Sequence, residues 1–225
     1  DEDAREAGRD HRHRRLAVTA VAQQLGHHAR RHHALAQHDA FPIAVAGEIR
    51  SGKDTFCEYM MDRVHGMRKL YFAQGIKDVL EICFPEEMAK GKPRGLYQDV
   101  GTFMRTLDPD VWVKHLAREY EWQHMFFDDF IVTDLRQMNE YEWLKANGFT
   151  VIKVESDEEL RLERMNKSGD IFTRASLDHP VERQIRELPY DYLVTNNDTL
   201  EALYMQADFI LDELQKGESR HGTIK

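Results

Sequence analysis

A short apolar run, Phe41-Pro42-Ile43-Ala44-Val45-Ala46, ends in Gly47, and Gly47 to Lys53 have the spacing G-x-x-x-x-G-K. An amphipathic segment follows at once, with Phe56, Met60 and Val64 on one helical face. This strand, glycine-rich turn and helix start restrict the fold more than any other stretch of the chain. Glycines let backbone N–H groups turn inward around an anion, and a helix beginning there adds its positive N-terminal end. Lys53 is then placed to reach the outer phosphates of a nucleotide. The usual Ser or Thr after the lysine is replaced by Asp54, with Thr55 next. A carboxylate is a good oxygen ligand for Mg2+, so the metal is expected at Asp54, at Thr55 or through water.

From residue 41 onward, strand and helix patterns alternate. Strands are expected at 42–46, 69–72, 130–133, 150–154 and 192–195, and helices at 53–65, 76–83, 110–120, 139–147 and 200–215. Such alternation predicts an α/β sandwich of three layers: a mainly parallel five-stranded sheet with helices on both faces. Ligands of such sheets bind beyond the carboxyl ends of the strands, where Gly47 to Thr55 fall. The other polar constellations also follow strand ends or fall in expected loops. These are Gln74 to Lys77, Gln98 to Arg105, and Asp134-Leu135-Arg136 with Asn139 and Glu140. An acid at the end of an apolar strand beside a phosphate loop is a usual second Mg2+ contact, which points to Asp134. The polar stretch 156–182, with Arg161, Arg164, Lys167 and Arg174 and the turn-like Asp178-His179-Pro180, reads as a mobile lid that carries arginines to the phosphates.

Residues 1–40 differ from the rest: they hold seven of the twelve histidines and seven arginines but no lysine. The segment reads as a solvated leader outside the enzyme domain of residues 41–225. His28 and His32 have helical i, i+4 spacing, but a metal site there is the less favoured reading. The net charge of −9 argues against a nucleic-acid surface over the whole chain. No apolar run approaches the ~20 residues that span a bilayer, and the start lacks a signal-peptide core, so the expected compartment is the cytoplasm. Cys57 and Cys83 have neither metal nor disulfide spacing.

Taken together, Arg50 to Thr55, Gly101-Thr102 with Arg105 and Trp112, Asp134-Leu135-Arg136 with Asn139-Glu140, and Tyr192 to Asn196 resemble the deoxynucleoside monophosphate kinases of phages and bacteria. These are P-loop nucleoside monophosphate kinases, and the resemblance runs from about 42 to 214, with Asp54 expected within it. Animal-type phosphomevalonate kinases share the Ser-Gly-Lys-Asp start and the Asp-x-Arg, and are the close competitor. The resemblance implies ATP phosphates on Gly47, Arg50, Ser51, Gly52 and Lys53, with Mg2+ near Asp54, Thr55 and Asp134. It implies an acceptor phosphate at Arg105 and Arg136, with Lys77 beside them, and Gln98 reading the base. Arg161 and Arg164 would be the lid arginines, and Asn196 and Asn197 would lie near adenine. The reaction expected is transfer of a phosphoryl group from ATP to a (deoxy)nucleoside monophosphate. Phosphorylation of another small acceptor and a nucleotide-driven switch without turnover are the rivals. Partners are then small molecules, and a homodimer is left open.

Overall fold

The computed structural model describes residues 41–168 and 180–216. The leader 1–40 and the expected lid residues Gly169, Arg174, Asp178 and His179 lie outside them.

Five short segments, each with at least one buried side chain, pair into one sheet: β1 (Ile43–Gly47), β2 (Arg68–Leu70), β3 (Phe130–Leu135), β4 (Thr150–Glu155) and β5 (Tyr192–Thr195). Their order is β2-β3-β1-β4-β5, and every pairing is parallel. All five residues of β1 are buried, as a central strand covered on both faces requires. Ile43 stands beside Ile131 of β3 and Thr150 of β4, and the β1–β3 register shifts between Ala44 and Ala46.

Alternation along the strands divides the core. Ile43, Val45, Ile131, Ile152 and Val154 pack on one face against Phe56 and Met60 of α1 (Lys53–Arg63) and Leu203, Ala207 and Ile210 of α9 (Leu200–Lys216). On the opposite face, Ala44, Ala46, Phe130, Val132 and Val151 pack against Val113, Leu116 and Tyr120 of α5 (Val111–His124) and Leu144 of α6 (Met138–Ala146). Tyr120 ties that layer together: its ring centroid is 5.0 Å from Phe130, 5.4 Å from Phe149 and 5.7 Å from Trp143. Cys57 is in the first layer, where burial pushes its thiol up to about 12, so it remains a thiol at neutral pH.

A third, smaller cluster joins α2 (Ala73–Cys83), α3 (Pro85–Ala89), α4 (Arg94–Leu107) and the start of α5 around Ile76, Leu80 and Trp112. Here the sequence expectation needs correction. Gln98 and Arg105 were expected in a loop, yet both lie on α4. Gly95 and Gly101 weaken helix propensity there. Leu96, Val100 and Met104, spaced four apart, put an apolar stripe onto α2 that outweighs it. Gly101 also has a packing role: a Cβ there would come 3.0 Å from Cδ1 of Ile76. The segment from Ala73, likewise expected as a loop, is already the first turn of α2.

In the expected lid, residues Glu158–Lys167 form α7 and Pro180–Glu187 form α8. Pro180, read from sequence as part of a turn, opens a helix, because its fixed φ suits the first helical position. From β1 the chain runs to β2 and β3 on one side of that strand, and from β3 it crosses past β1 to β4 and β5 on the other. The crevice beyond the carboxyl end of β1 is therefore where this topology builds a site.

Candidate functional site

The loop after β1 has the backbone its sequence requires. Gly47 closes the strand, and a Cβ on it would come 2.7 Å from Oγ of Ser51 and 2.8 Å from the carbonyl of Val154. Gly52 caps α1 at φ 93, a left-handed conformation, and its missing Cβ leaves room for the amide of Asn196. Arg50 also has positive φ, at 58. Ser51 N–H donates to the carbonyl of Glu48 at 3.1 Å, which turns the chain back on itself. Ser51 is buried, and its Oγ has no hydrogen-bond partner among the described residues. Asn196, expected near adenine, is buried and donates through Nδ2 to the carbonyl of Ser51 at 2.8 Å. Asn197 accepts from Asp157 N–H at 2.9 Å and so fixes the approach to α7. Asn196→Ala would strip the Ser51 carbonyl of its donor. A loss of about 1–2 kcal/mol in unfolding free energy by denaturant titration is the expected result.

Lys53 and Asp54 open α1, and Lys53 Nζ is 2.5 Å from Oδ1 of Asp54. Desolvation raises the Asp54 carboxyl, but Lys53, Lys69 and Arg136 outweigh it and hold the group below the usual carboxylate range. Thr55 follows on the same turn, partly buried.

At the end of β3, Asp134 accepts from Phe72 N–H at 2.9 Å through one oxygen and from Ala73 N–H at 3.0 Å through the other. It thus secures the start of α2 to the sheet. Burial pushes its carboxyl up, while those two N–H groups and the charges of Arg136 and Lys53 oppose the shift. Three residues later the chain turns into α6 through a capping box of Gln137 and Glu140. Glu140 is buried, and Oε2 accepts from the N–H groups of Arg136 and Gln137 at 2.9 and 3.0 Å. Its Oε1 lies 3.8 Å from Nη2 of Arg105. Burial is the main cause that raises Glu140 to about 7, with the charge of Asp134 adding to it. The fields of Glu140, Asp134 and Arg136 all act on Arg105. Lys53, Asp54, Arg105, Asp134 and Arg136 thus share one electrostatic neighbourhood. Lys77 pairs with Glu81 at 3.4 Å on its own helix and feels Tyr71 and Tyr97, and Gln98 is exposed on α4.

The expected lid arginines are placed against the loop itself. Arg161 is buried, with Nη1 3.2 Å from Oε1 of Glu48. Arg164 donates to the carbonyl of Arg50 at 3.3 Å, to Oγ of Ser156 at 3.1 Å and to the carbonyl of Asn196 at 2.9 Å. Arg50 donates to Oγ of Ser168 at 2.8 Å. Three further residues, Glu48, Glu182 and Arg186, belong to this region and were missed by sequence reasoning. Glu182 accepts from Ile49 N–H at 3.0 Å, and Arg186 Nε is 2.7 Å from Oε1 of Glu48. The only signal available was an acidic residue inside the phosphate loop, which in isolation reads as a solvated side chain.

Among the described residues no group of three or more His, Cys, Asp or Glu is arranged to hold a metal, and no helix is long and apolar enough to cross a membrane.

The fold recurs in solved structures of other proteins. The shikimate kinase from Acinetobacter baumannii, solved in complex with shikimate, is 17% identical, covers 82% of this chain and 98% of its own, and superposes with a TM-score of 0.51. A gluconokinase from Sinorhizobium meliloti 1021 is also 17% identical, covers 83% of this chain and all of its own, and has a TM-score of 0.50. At such identity these establish a shared fold, that of the P-loop kinases. In sequence, the deoxynucleotide monophosphate kinase of Escherichia phage RB69 is 33% identical over 121 residues, 52% of this chain. The match spans 44% of that relative's own length. The family model described as deoxynucleotide monophosphate kinase matches residues 92–207, just over half of the chain, which takes in Arg105, Asp134, Arg136, Arg161, Arg164 and Asn196. By that match the chain belongs to the deoxynucleotide monophosphate kinase family.

Proposed function

We propose that the protein transfers a phosphoryl group from ATP to a deoxynucleoside monophosphate, giving the diphosphate. The observation that carries this reading is the juxtaposition of two anion sites: the loop of Gly47 to Lys53, and Arg105 and Arg136 in the same field. A nucleotide switch needs the first and has no use for the second. Membership of the family supports the choice of acceptor.

The residues present fit a divalent cation. Asp54 is kept ionised, and Thr55 stands beside it. Asp134 gives each oxygen to a backbone N–H, so its part is to act through water while holding α2 in place. Mg2+ held by these residues would supply charge neutralisation to the phosphates. The loop amides and Lys53 bind the donor's outer phosphates, and the buried Ser51 hydroxyl, without a partner among the described residues, is available to the same anion. Arg105 and Arg136 hold the acceptor phosphate. A phosphate monoester is already largely ionised at pH 7, its second pKa being about 6, so no side chain has to remove a proton. The work left to the chain is to hold two polyanions in line and offset their repulsion. The stretch 156–182 acts as the lid, Asn197 and Asn196 border the adenine, and Gln98 and Lys77 face the acceptor. The cytoplasm, where ATP and nucleotides are pooled, is the compartment that suits this reaction, and nothing in it requires a second subunit.

The test is ADP release from Mg-ATP with each deoxynucleoside monophosphate, each ribonucleotide and phosphomevalonate, using Lys53→Ala as the blank. Turnover on one or more deoxynucleotides is expected. Turnover on phosphomevalonate alone, or on no acceptor despite ATP binding, would sink the assignment.

A further inference from the structure

Glu48 is the first residue of the phosphate loop after Gly47, and it is the meeting point of two other elements. Arg161 of α7 and Arg186 of α8 both reach the same oxygen of its carboxylate, at 3.2 and 2.7 Å. The two helices come from either side of the 169–179 stretch, so the loop's own carboxylate joins both ends of the expected lid. Neighbouring contacts repeat the pattern at the next two positions: Ile49 N–H donates to Glu182 of α8, and the Arg50 carbonyl accepts from Arg164 of α7. From the sheet, buried Lys153 of β4 donates to the main-chain carbonyl of Arg186 at 2.6 Å, which fixes the end of α8 that carries this arginine.

A carboxylate in a loop built for phosphate is an electrostatic cost to the ligand unless it serves something else. Here it serves two cations. Arg161 is almost fully buried, and among the described residues its Nε and Nη1 make no hydrogen bond beyond the ion pair with Glu48. Glu48 supplies the countercharge that lets this guanidinium stay at the loop with N–H groups to spare. We propose that Glu48 is a positioning residue for the nucleotide's phosphates, holding Arg161 and Arg186 against the first half of the loop. The inference rests on the reading of that loop as an ATP site.

Calorimetric titration of the full chain with Mg-ATP tests it, using Glu48→Gln, Arg186→Gln and the double variant. Each single variant is expected to weaken binding about tenfold, as the loss of a charge-assisted hydrogen bond implies. The double variant should be no weaker than the weaker single, because both break the same link. Arg186→Lys, which keeps the charge, should restore most of the affinity. Should Glu48→Gln fail to fold with Arg161 left uncompensated, Arg186→Gln and Arg186→Lys still decide the matter, since Arg186 is partly exposed. Wild-type affinity in the variants, tighter binding in Glu48→Gln, or effects that multiply in the double variant would each overturn the proposal. If the wild-type chain itself did not bind Mg-ATP, the reading of the loop would fail before any variant was compared.

Discussion

Lys53→Ala is expected to lower kcat for phosphoryl transfer by about 10^3-fold or more, with little loss of stability. Lys53 is the first residue of α1, only 14% exposed, at the positive end of the helix and beside a glycine-shaped turn. In the proposed reaction an ammonium so placed would stabilise charge that develops on the outer phosphates during transfer. Removing a preorganised donor of this kind typically costs about 10^2–10^3-fold, and more when the donor carries full charge. Alanine is a good helix former, so α1 itself should persist. Asp54 loses its 2.5 Å partner, yet it remains in the first turn, where a negative charge suits the helix dipole. Single-turnover transfer at saturating Mg-ATP and deoxynucleotide, together with a thermal melt, would separate the two effects. A loss below tenfold with the fold intact would remove Lys53 from the chemistry.

The reason Lys53 could be singled out from the sequence is that everything it needs is local. An apolar run ending in glycine, a second glycine six positions into the motif and an amphipathic segment are all visible in one short window. The central strand and the helices that cover it were legible for the same reason: Ile43 and Val45 alternate with Ala44 and Ala46, and Phe56 and Met60 recur at helical spacing. What escaped was either weakly patterned or distant. Helix α4 contains two glycines, and it holds its form because Leu96, Val100 and Met104 meet α2, a tertiary fact. The contacts that latch the loop join residues 133 and 138 positions apart, Ile49 to Glu182 and Glu48 to Arg186. No local period encodes such a pairing. Asp134 shows a subtler limit. Its place at the end of an apolar strand suggested a metal contact, and only the structure shows both oxygens turned to the N-terminus of α2. That one carboxylate ties β3 to the first turn of the helix that follows β2.

Glu140→Gln is the other change expected to have a large effect, and its signature is a dependence on pH. Glu140 is 3% exposed and its carboxyl is raised from 4.5 to about 7, chiefly by burial, with Asp134 adding like charge and Arg105 only 3.8 Å away in opposition. Below pH 4.5 the group is protonated whether the chain is folded or not, and it costs the fold nothing. Between 4.5 and about 7 the unfolded chain releases the proton while the native protein still holds it, so stability falls as pH rises. Above about 7 both forms are ionised and the full cost, about 3 kcal/mol, is present. Glutamine keeps an acceptor for the N–H groups of Arg136 and Gln137 but does not titrate. Urea unfolding at pH 5 and pH 8 should therefore show the variant gaining about 2–3 kcal/mol on the wild type between the two. The gain is read without substrate, so it stands apart from any change in acceptor binding caused by leaving Arg105 without its countercharge. A difference between variant and wild type that stays constant from pH 5 to 8 would mean that Glu140 is already ionised in the native site. Arg105 would then be held by a permanent ion pair that an acceptor phosphate has to displace.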